Sequence, residues 1–458
     1  MKPPRAAAAE IARQETMTVP GLAARLAAAA VLRDVVANGH MLDELFAAGT
    51  ALSRIGGLNP RDLALTRSIA TAALRRLGTI RHALADLLDR GVPRTAAQIE
   101  WCLTAAAAQI LFLDVPDHAA VDLAVRMTRL DAKTAPYAAL VNGVLRNLAR
   151  RRDAYLASAS PLDHDTPPWL AARWRKIYGE DGAQAIAAAH RLEPTLDISV
   201  KSDPEFWAEK LGATVLPTGS LRLQTHLPIP ELPGYEEGAW WVQDAAAALA
   251  ARFIAIDSGM RIADLCSAPG GKAAQLAARG AHVTAIDRSA ERLKLLSSNF
   301  ERLRLEAEIV VADVVALNGL TFDAVLLDAP CSATGTIRRH PDVAWTKKPG
   351  DLTKLAAMQS RMLDKAFELV RPGGTIVYCT CSMEPEEGEQ QIAALLRRNP
   401  DVVRLPITQG EVGGLGELVN ANGEVRTLPS HLPAEDPRLA GLDGFFIARL
   451  VRHEKRGR

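Results

Sequence analysis

Between Gly238 and the carboxyl end, short apolar runs alternate with longer amphipathic segments, and that alternation leaves few architectures open. Ile262 to Leu265, His282 to Ile286, Ile309 to Val311, Ala324 to Leu327 and Thr375 to Val377 read as strands. Ala273 to Ala278, Ser289 to Arg304 and Leu352 to Val370 read as the helices between them. Runs this short and this apolar, each returning through a helix, predict a parallel sheet covered on both faces, a doubly wound α/β unit. Gly444 to Leu450 adds a final strand. Such sheets bind ligands beyond the carboxyl ends of their strands, so chemistry is expected in the residues that follow each run.

The first third of the chain has a different period. From Val19 to Arg152 the spacing is helical, as in Leu63, Ile69, Ala73 and Leu77 or Leu103, Ile110 and Leu113. Breaks fall at Gly56-Gly57, Gly91-Val92-Pro93, Pro116 and Pro136. An all-helical domain over 19–152 is expected, then a linker and small α+β subdomain over 153–237, then the sheet domain over 238–452. Candidate strands of the small subdomain are Ile198 to Val200, Thr214 to Leu216 and Leu221 to Leu223. The Ala-rich stretch 1–18 reads as a disordered tail and 453–458 as a short basic tail.

Composition removes several classes of function. A formal net charge of +1 gives no bulk attraction to nucleic acid, so any basic surface must be local. Five cysteines, odd in number and unevenly spaced, do not make a secreted disulfide framework. No CxxC or HxxxH pairing is present, so no metal is expected. No apolar run has the length of a membrane span, and the first residues lack the apolar core of a signal peptide. A cytoplasmic protein, monomeric and without a membrane partner, is the expectation.

Two cysteine motifs follow strand-like runs: Asp328-Ala329-Pro330-Cys331-Ser332 and Tyr378-Cys379-Thr380-Cys381-Ser382. Thiols gathered at one sheet edge suggest covalent chemistry. Upstream, Asp264-Leu265-Cys266-Ser267-Ala268-Pro269-Gly270-Gly271-Lys272 joins the first strand to a helix. Its glycines let backbone approach a ligand, and the helix start offers free N–H groups. It is neither GxGxxG nor a P-loop, since Ala273 follows Lys272. Asp287 ends the second strand, where a carboxylate can accept from two ribose hydroxyls. Asp313 follows the third, within reach of an adenine amino group. Three acids in strand order suit a nucleoside cofactor without an essential phosphate, and S-adenosylmethionine fits that description.

These motifs together resemble the signatures of the RNA (cytosine-5)-methyltransferases of the RsmB/Nop2/Sun type. Trp241-Val242-Gln243-Asp244, Arg338-Arg339-His340-Pro341-Asp342 and Asp443-Gly444-Phe445-Phe446 are similar to that family too. The helical region resembles a NusB-like RNA-binding domain, best in Leu111 to Val121 and in Val141-Asn142-Gly143-Val144-Leu145-Arg146. The resemblance implies a Rossmann-like class I methyltransferase domain acting on RNA, most naturally small-subunit rRNA. It assigns attack on cytosine C6 to Cys381 and product release to Cys331, with Asp328 and Lys272 at the base. It assigns cofactor contacts to Cys266, Ser267, Ala268, Pro269, Gly270, Gly271, Lys272, Asp287, Arg292, Asp313 and Asp328. One departure is Ala333, where the family usually has Gly.

Arg338, Arg339 and His340, just past the first cysteine motif, are expected to steer an RNA backbone. A solvated basic turn is the plain alternative. Cys379 is expected to be a packing residue, because free cysteine is commonly buried. Two other functions compete. An amino-group methyltransferase would use Asp-Ala-Pro-Cys in place of the loosely similar Asp-Pro-Pro-Tyr. An RNA-binding assembly or antitermination-type factor would carry an inactive methyltransferase domain.

Overall fold

A computed structural model describes residues 16, 18–46, 58–225 and 227–453. Most of the expected tail over 1–18, the Gly56-Gly57 break and residues 454–458 lie outside them. The chain forms two compact units, Met1–Arg191 with His340–Lys347, and Leu192–Arg339 with Lys348–Arg458. The expected linker and small subdomain therefore divide, 153–191 going with the helices and 192–237 with the sheet.

The first unit is built from α1 (Leu22–Val36), α2 (Leu42–Phe46), α3 (Pro60–Arg75), α4 (Leu77–Leu87), α5 (Gln98–Phe112), α6 (Asp117–Leu130), α7 (Ala138–Arg150), α8 (Arg152–Ser158) and α9 (Pro168–His190). Asn59 caps α3 by accepting from Asp62 N at 2.9 Å. α5 is buried on almost every side, from Ile99 to Leu111. Its run Ala105 to Ala108 lets neighbouring helices approach closely, so it forms the axis of the core. The segment His340–Lys347 packs into this unit. Asp342, buried, accepts from Leu42 N at 3.0 Å, and Trp345 donates from its indole to Leu74 O at 2.8 Å.

The second unit starts with a small antiparallel sheet of order β2-β3-β1-β4. Its strands are β1 (Leu196–Val200), β2 (Thr214–Val215), β3 (Leu221–Leu223) and β4 (Trp240–Val242), with α10 (Pro204–Leu211) between β1 and β2. Trp240 is fully buried at its core. β4, which the sequence did not announce, carries Trp241-Val242 of the motif and pairs with the expected strand β1.

The large sheet runs β10-β12-β9-β8-β5-β6-β7. Its elements are α11 (Ala245–Arg252), β5 (Arg261–Leu265), α12 (Gly271–Ala278), β6 (His282–Asp287), α13 (Ala290–Leu303), β7 (Glu308–Val311), β8 (Phe322–Asp328), α14 (Pro349–Leu369), β9 (Val370–Thr380), α15 (Glu389–Arg398), β10 (Val402–Arg404), β11 (Val425–Arg426) and β12 (Phe446–Arg452). From β7 to β9 every pairing is parallel, as expected. β12 is antiparallel to β9, so the sheet is mixed. The physical reason lies in the connection. The helix α15 carries the chain back for β10, which runs in the sense of β9, but no α-helix lies between β10 and β12, so Phe446 pairs with Thr380 at the carboxyl end of β9 and β12 runs the opposite way. Order reverses between β5 and β8, and the crevice there is where an open sheet binds its ligand.

Candidate active site

The loop from β5 to α12 is shaped by backbone demands. Gly270 has φ 104°, and a Cβ there would meet Leu296 Cγ at 2.8 Å. Ser267 donates from Oγ to Asp264 Oδ2 at 2.9 Å and from N to Ile286 O at 3.0 Å. The loop thus folds over the ends of β5 and β6 and borders a cavity of about 600 Å³. Asp264 lines that cavity, is fully buried, and has no hydrogen-bond partner on Oδ1. Burial pushes its carboxyl up to about 7. A buried acceptor left open at the wall of a cavity suits a ligand amino group, and S-adenosylmethionine carries one.

The other acids are placed differently from one another. Asp287 is nearly buried and accepts from Ser289 N at 2.9 Å and Ala268 N at 3.3 Å. Arg292 lies 3.4 Å from it and also donates to Ala268 O, so this pair fixes the loop from behind. Asp313 is exposed and caps a single turn by accepting from Val315 N at 3.0 Å.

Asp328 ends β8 with both carboxylate oxygens occupied. Lys272 donates to Oδ2 at 2.8 Å, and Cys379 donates from Sγ to Oδ1 at 3.4 Å. The Lys272 side chain is only 10 % exposed, so it is not a solvated helix-start lysine. Burial works against its charge, but Asp328 outweighs that and raises it above the ordinary value. Cys379 does more than pack: it is the second donor to Asp328. Burial pushes its thiol up first, and the charge of Asp328 adds to that.

Cys331 and Cys381 come together, their Sγ atoms 3.4 Å apart and both half-buried. The Cys331 thiol is raised well above the ordinary range, first by its hydrogen bond to Cys381, then by burial. It therefore keeps its proton and can offer it to the Cys381 sulfur. The loops behind them are anchored. Gly335 N donates to Cys381 O at 3.0 Å, and Met383 N donates to Thr334 Oγ1 at 3.1 Å. Ala333 sits at φ 59°, in the left-handed region. A side chain there is strained, which gives the family's usual glycine a physical reason.

Arg338 and Arg339 point into the fold, which corrects the expectation that they steer an RNA backbone. Arg338 is buried and donates to Asp443 at 2.6 Å and Asp244 at 3.3 Å. Arg339 donates to Asp244 at 2.7 Å and Asp197 at 3.2 Å. Arg222, buried, holds Asp197 with two hydrogen bonds of 2.7 and 2.8 Å. Three arginines and three aspartates thus neutralise one another inside the sheet unit. Burial opposes the charge of Asp244, but Arg339 and Arg338 hold its carboxyl well below the usual range. Burial and then Asp244 push Asp443 up. His340 belongs to the helical unit, 3.4 Å from Asp43.

Comparison with known proteins gives the family. The family model described as 16S rRNA methyltransferase RsmB/F matches residues 251–451, and that of the NusB family matches 22–150. The ribosomal RNA small subunit methyltransferase B of Vibrio cholerae is 35% identical over 395 residues, covering 82% of this chain and 90% of its own. That of Xylella fastidiosa (strain Temecula1) is 36% identical over 450 residues, covering 94% and 98%. The chain belongs to the RsmB/F methyltransferase family. It is an S-adenosylmethionine-dependent RNA methyltransferase with a NusB domain ahead of a Rossmann-like catalytic domain. The crystal structure of PH0851 shares the fold with a TM-score of 0.71 at 21% identity, covering 95% of this chain and 99% of that one. NSun6 from Pyrococcus horikoshii with SFG shares the fold over 63% of this chain and 99% of its own, with a TM-score of 0.52 at 20% identity. Among the described residues no acid, histidine or cysteine cluster could hold a metal, and no helix is long and apolar enough to cross a membrane.

Sequence reasoning passed over three groups. Ser332 and Ser382 lay in the quoted motifs without a role. Glu387 was not singled out. Of the acids facing Arg338 and Arg339, Asp244 and Asp443 did appear in separate motifs, their opposite charge being the available signal, while Asp197 did not.

Proposed function

We propose that this protein methylates C5 of a cytosine in 16S rRNA through a covalent adduct between Cys381 and C6 of the base. The observation that carries the reading is the thiol pair, 3.4 Å apart, in the same domain as an acid, Asp328, held by Lys272 and Cys379. The names of the curated relatives supply the rRNA.

Cytosine C5 is a weak nucleophile. Cys381, as thiolate, adds to C6, breaks the aromatic ring and makes C5 electron-rich, so one hard step becomes two easier ones. A thiolate is needed, and Cys331 keeps its proton while Cys381 sits beside it. Asp328 accepts from the N4 amino group or from a protonated N3, favouring the electron-poor ring that a thiolate attacks. Lys272 and Cys379 occupy one oxygen each and hold the carboxylate in that orientation. When bound, S-adenosylmethionine supplies the electrophilic methyl group. The loop Cys266–Gly271, the open Oδ1 of Asp264, Asp287 and Asp313 would hold it. In release a water molecule takes the C5 proton, its electron pair re-forms the 5,6 double bond, the C6–S bond breaks with its pair on sulfur, and the Cys331 S–H hydrogen-bonds the departing Cys381 thiolate. A base inside a duplex is out of reach of these thiols, so the target lies in a loop or is flipped out.

Methyl-labelled cofactor and 16S rRNA, followed by nucleoside digestion and mass spectrometry, test this. The account expects 5-methylcytidine. N4-methylcytidine would put the chemistry on the amino group and remove the thiols from the reaction.

A further inference from the structure

The covalent reading needs two thiols at a fixed spacing, yet they sit on separate loops, 50 residues apart in the chain. What fixes them is not in either thiol. Each cysteine is followed by a serine, and both serines turn inward to one carboxylate. Ser332 donates to Glu387 from its backbone N at 2.9 Å and from its Oγ at 2.5 Å. Ser382 donates from Oγ to the same Oε2 at 2.6 Å. Gln359 on α14 donates to Oε1 at 3.0 Å and also to Pro330 O, one residue before Cys331, at 2.9 Å. The carbonyl of Glu387 is tied as well, accepting from Tyr378 Oη at 2.8 Å and Thr380 Oγ1 at 3.2 Å.

Glu387 has no solvent exposure. A carboxylate buried that deeply persists only if its lone pairs are filled, and here the filling donors come from both cysteine loops. None of Ser332, Gln359, Ser382 and Glu387 lines the cavity beside the Cys266–Gly271 loop.

We propose that Glu387 is a positioning residue: it clamps Ser332 to Ser382 and so sets the distance between Cys331 and Cys381. The inference rests on the covalent reading for its purpose, but not for its test. Where two groups must meet, a misplacement of about 1 Å costs on the order of 10²-fold in rate. Thiol proximity can be read directly by oxidation with diamide. Each Cys331–Cys381 bridge passes two electrons and two protons from the thiols to the N=N bond of diamide, which becomes the hydrazine. The sulfurs must close from 3.4 Å to a bond of about 2.05 Å.

The rate of that bridge, followed by peptide mass spectrometry, is expected to rank wild type above Glu387→Gln above Glu387→Ala, the last slower by about tenfold or more. Gln keeps one acceptor and the shape, so it rescues in part. Ser382→Ala removes one arm and should fall between wild type and Glu387→Ala. In methyl transfer, the same variants should lower kcat and leave KM for S-adenosylmethionine unchanged, because the Cys266–Gly271 loop is not part of the clamp. Should Glu387→Ala fail to fold, the Gln and Ser382→Ala proteins decide. Bridge formation at the wild-type rate in a folded variant overturns the proposal, as does a rise in KM with kcat intact. If the methyl group proved to be on another atom of the base, the bridge rates would still stand, so the two failures are separable.

Discussion

The two cysteine loops and the turn Arg338-Arg339-His340, which follows the first of them in sequence, are opposites in structure. In the cysteine loops the reactive atoms stay half-buried at the site while the residues beside them turn inward and are anchored. In the arginine turn the charged ends themselves point inward. Arg338 and Arg339 meet Asp244, Asp443 and Asp197, partners lying 94 to 142 residues away in the chain. The same outward-looking pattern in sequence thus serves chemistry in one place and neutralisation in the other. What decides is whether a countercharge waits inside the fold.

The largest break in that comparison would come from Arg338→Ala. It leaves Asp443 and Asp244 short of a partner in a buried place, at an expected cost of about 3–5 kcal/mol, read as a lower urea midpoint. RNA affinity measured against salt should keep its slope. A slope weakened by about 0.7–0.9 with stability intact would return the arginine to the RNA surface.

Next in size is a pH effect at the cofactor loop. The Asp264 carboxyl is raised to about 7 in the folded protein and titrates near 3.8 when unfolded. Between those values the folded state binds the extra proton, so its stability contribution is full below about 3.8 and is lost as pH rises through 7. Without cofactor, unfolding free energy should fall across that window relative to Asp264→Asn, by up to about 1.4 kcal/mol per pH unit. Parallel pH profiles for the two proteins would contradict the buried, open acid.

Smaller again is Cys379→Ala. Losing one weak donor to Asp328 should lower kcat by up to about tenfold, matching the roughly 0.5–1.5 kcal/mol of a single hydrogen bond, with Cys379→Ser recovering part. Unchanged kcat would make Cys379 a packing residue after all. The smallest effect is a gain: Ala333→Gly relieves a left-handed alanine and should stabilise by about 1 kcal/mol, seen as a modest rise in Tm.

Most of the sheet was legible because each strand is a short apolar run and each connection a helical one. Its antiparallel edge was not, since Phe446 to Arg452 reads the same in either direction and only the missing crossover sets its sense. β4 went unread because Trp241-Val242-Gln243 presents as a motif, while its pairing partner β1 lies some 40 residues earlier. At the site, Cys331, Cys381, Asp328 and Lys272 could be found from their motifs. Glu387 could not, because a glutamate among Glu384, Glu386 and Glu389 looks solvated until Ser332 is brought to it from 55 residues away. The inward course of Arg338 was hidden for the same reason.

The central claim, that Cys381 attacks and Cys331 releases, is tested most directly by trapping. Cys331→Ala, incubated with 16S rRNA and S-adenosylmethionine and then denatured, should carry RNA covalently on Cys381, and Cys381→Ala should carry none and transfer no methyl group. An adduct on Cys331 in the Cys381→Ala protein, or methyl transfer that survives Cys381→Ala, would contradict it.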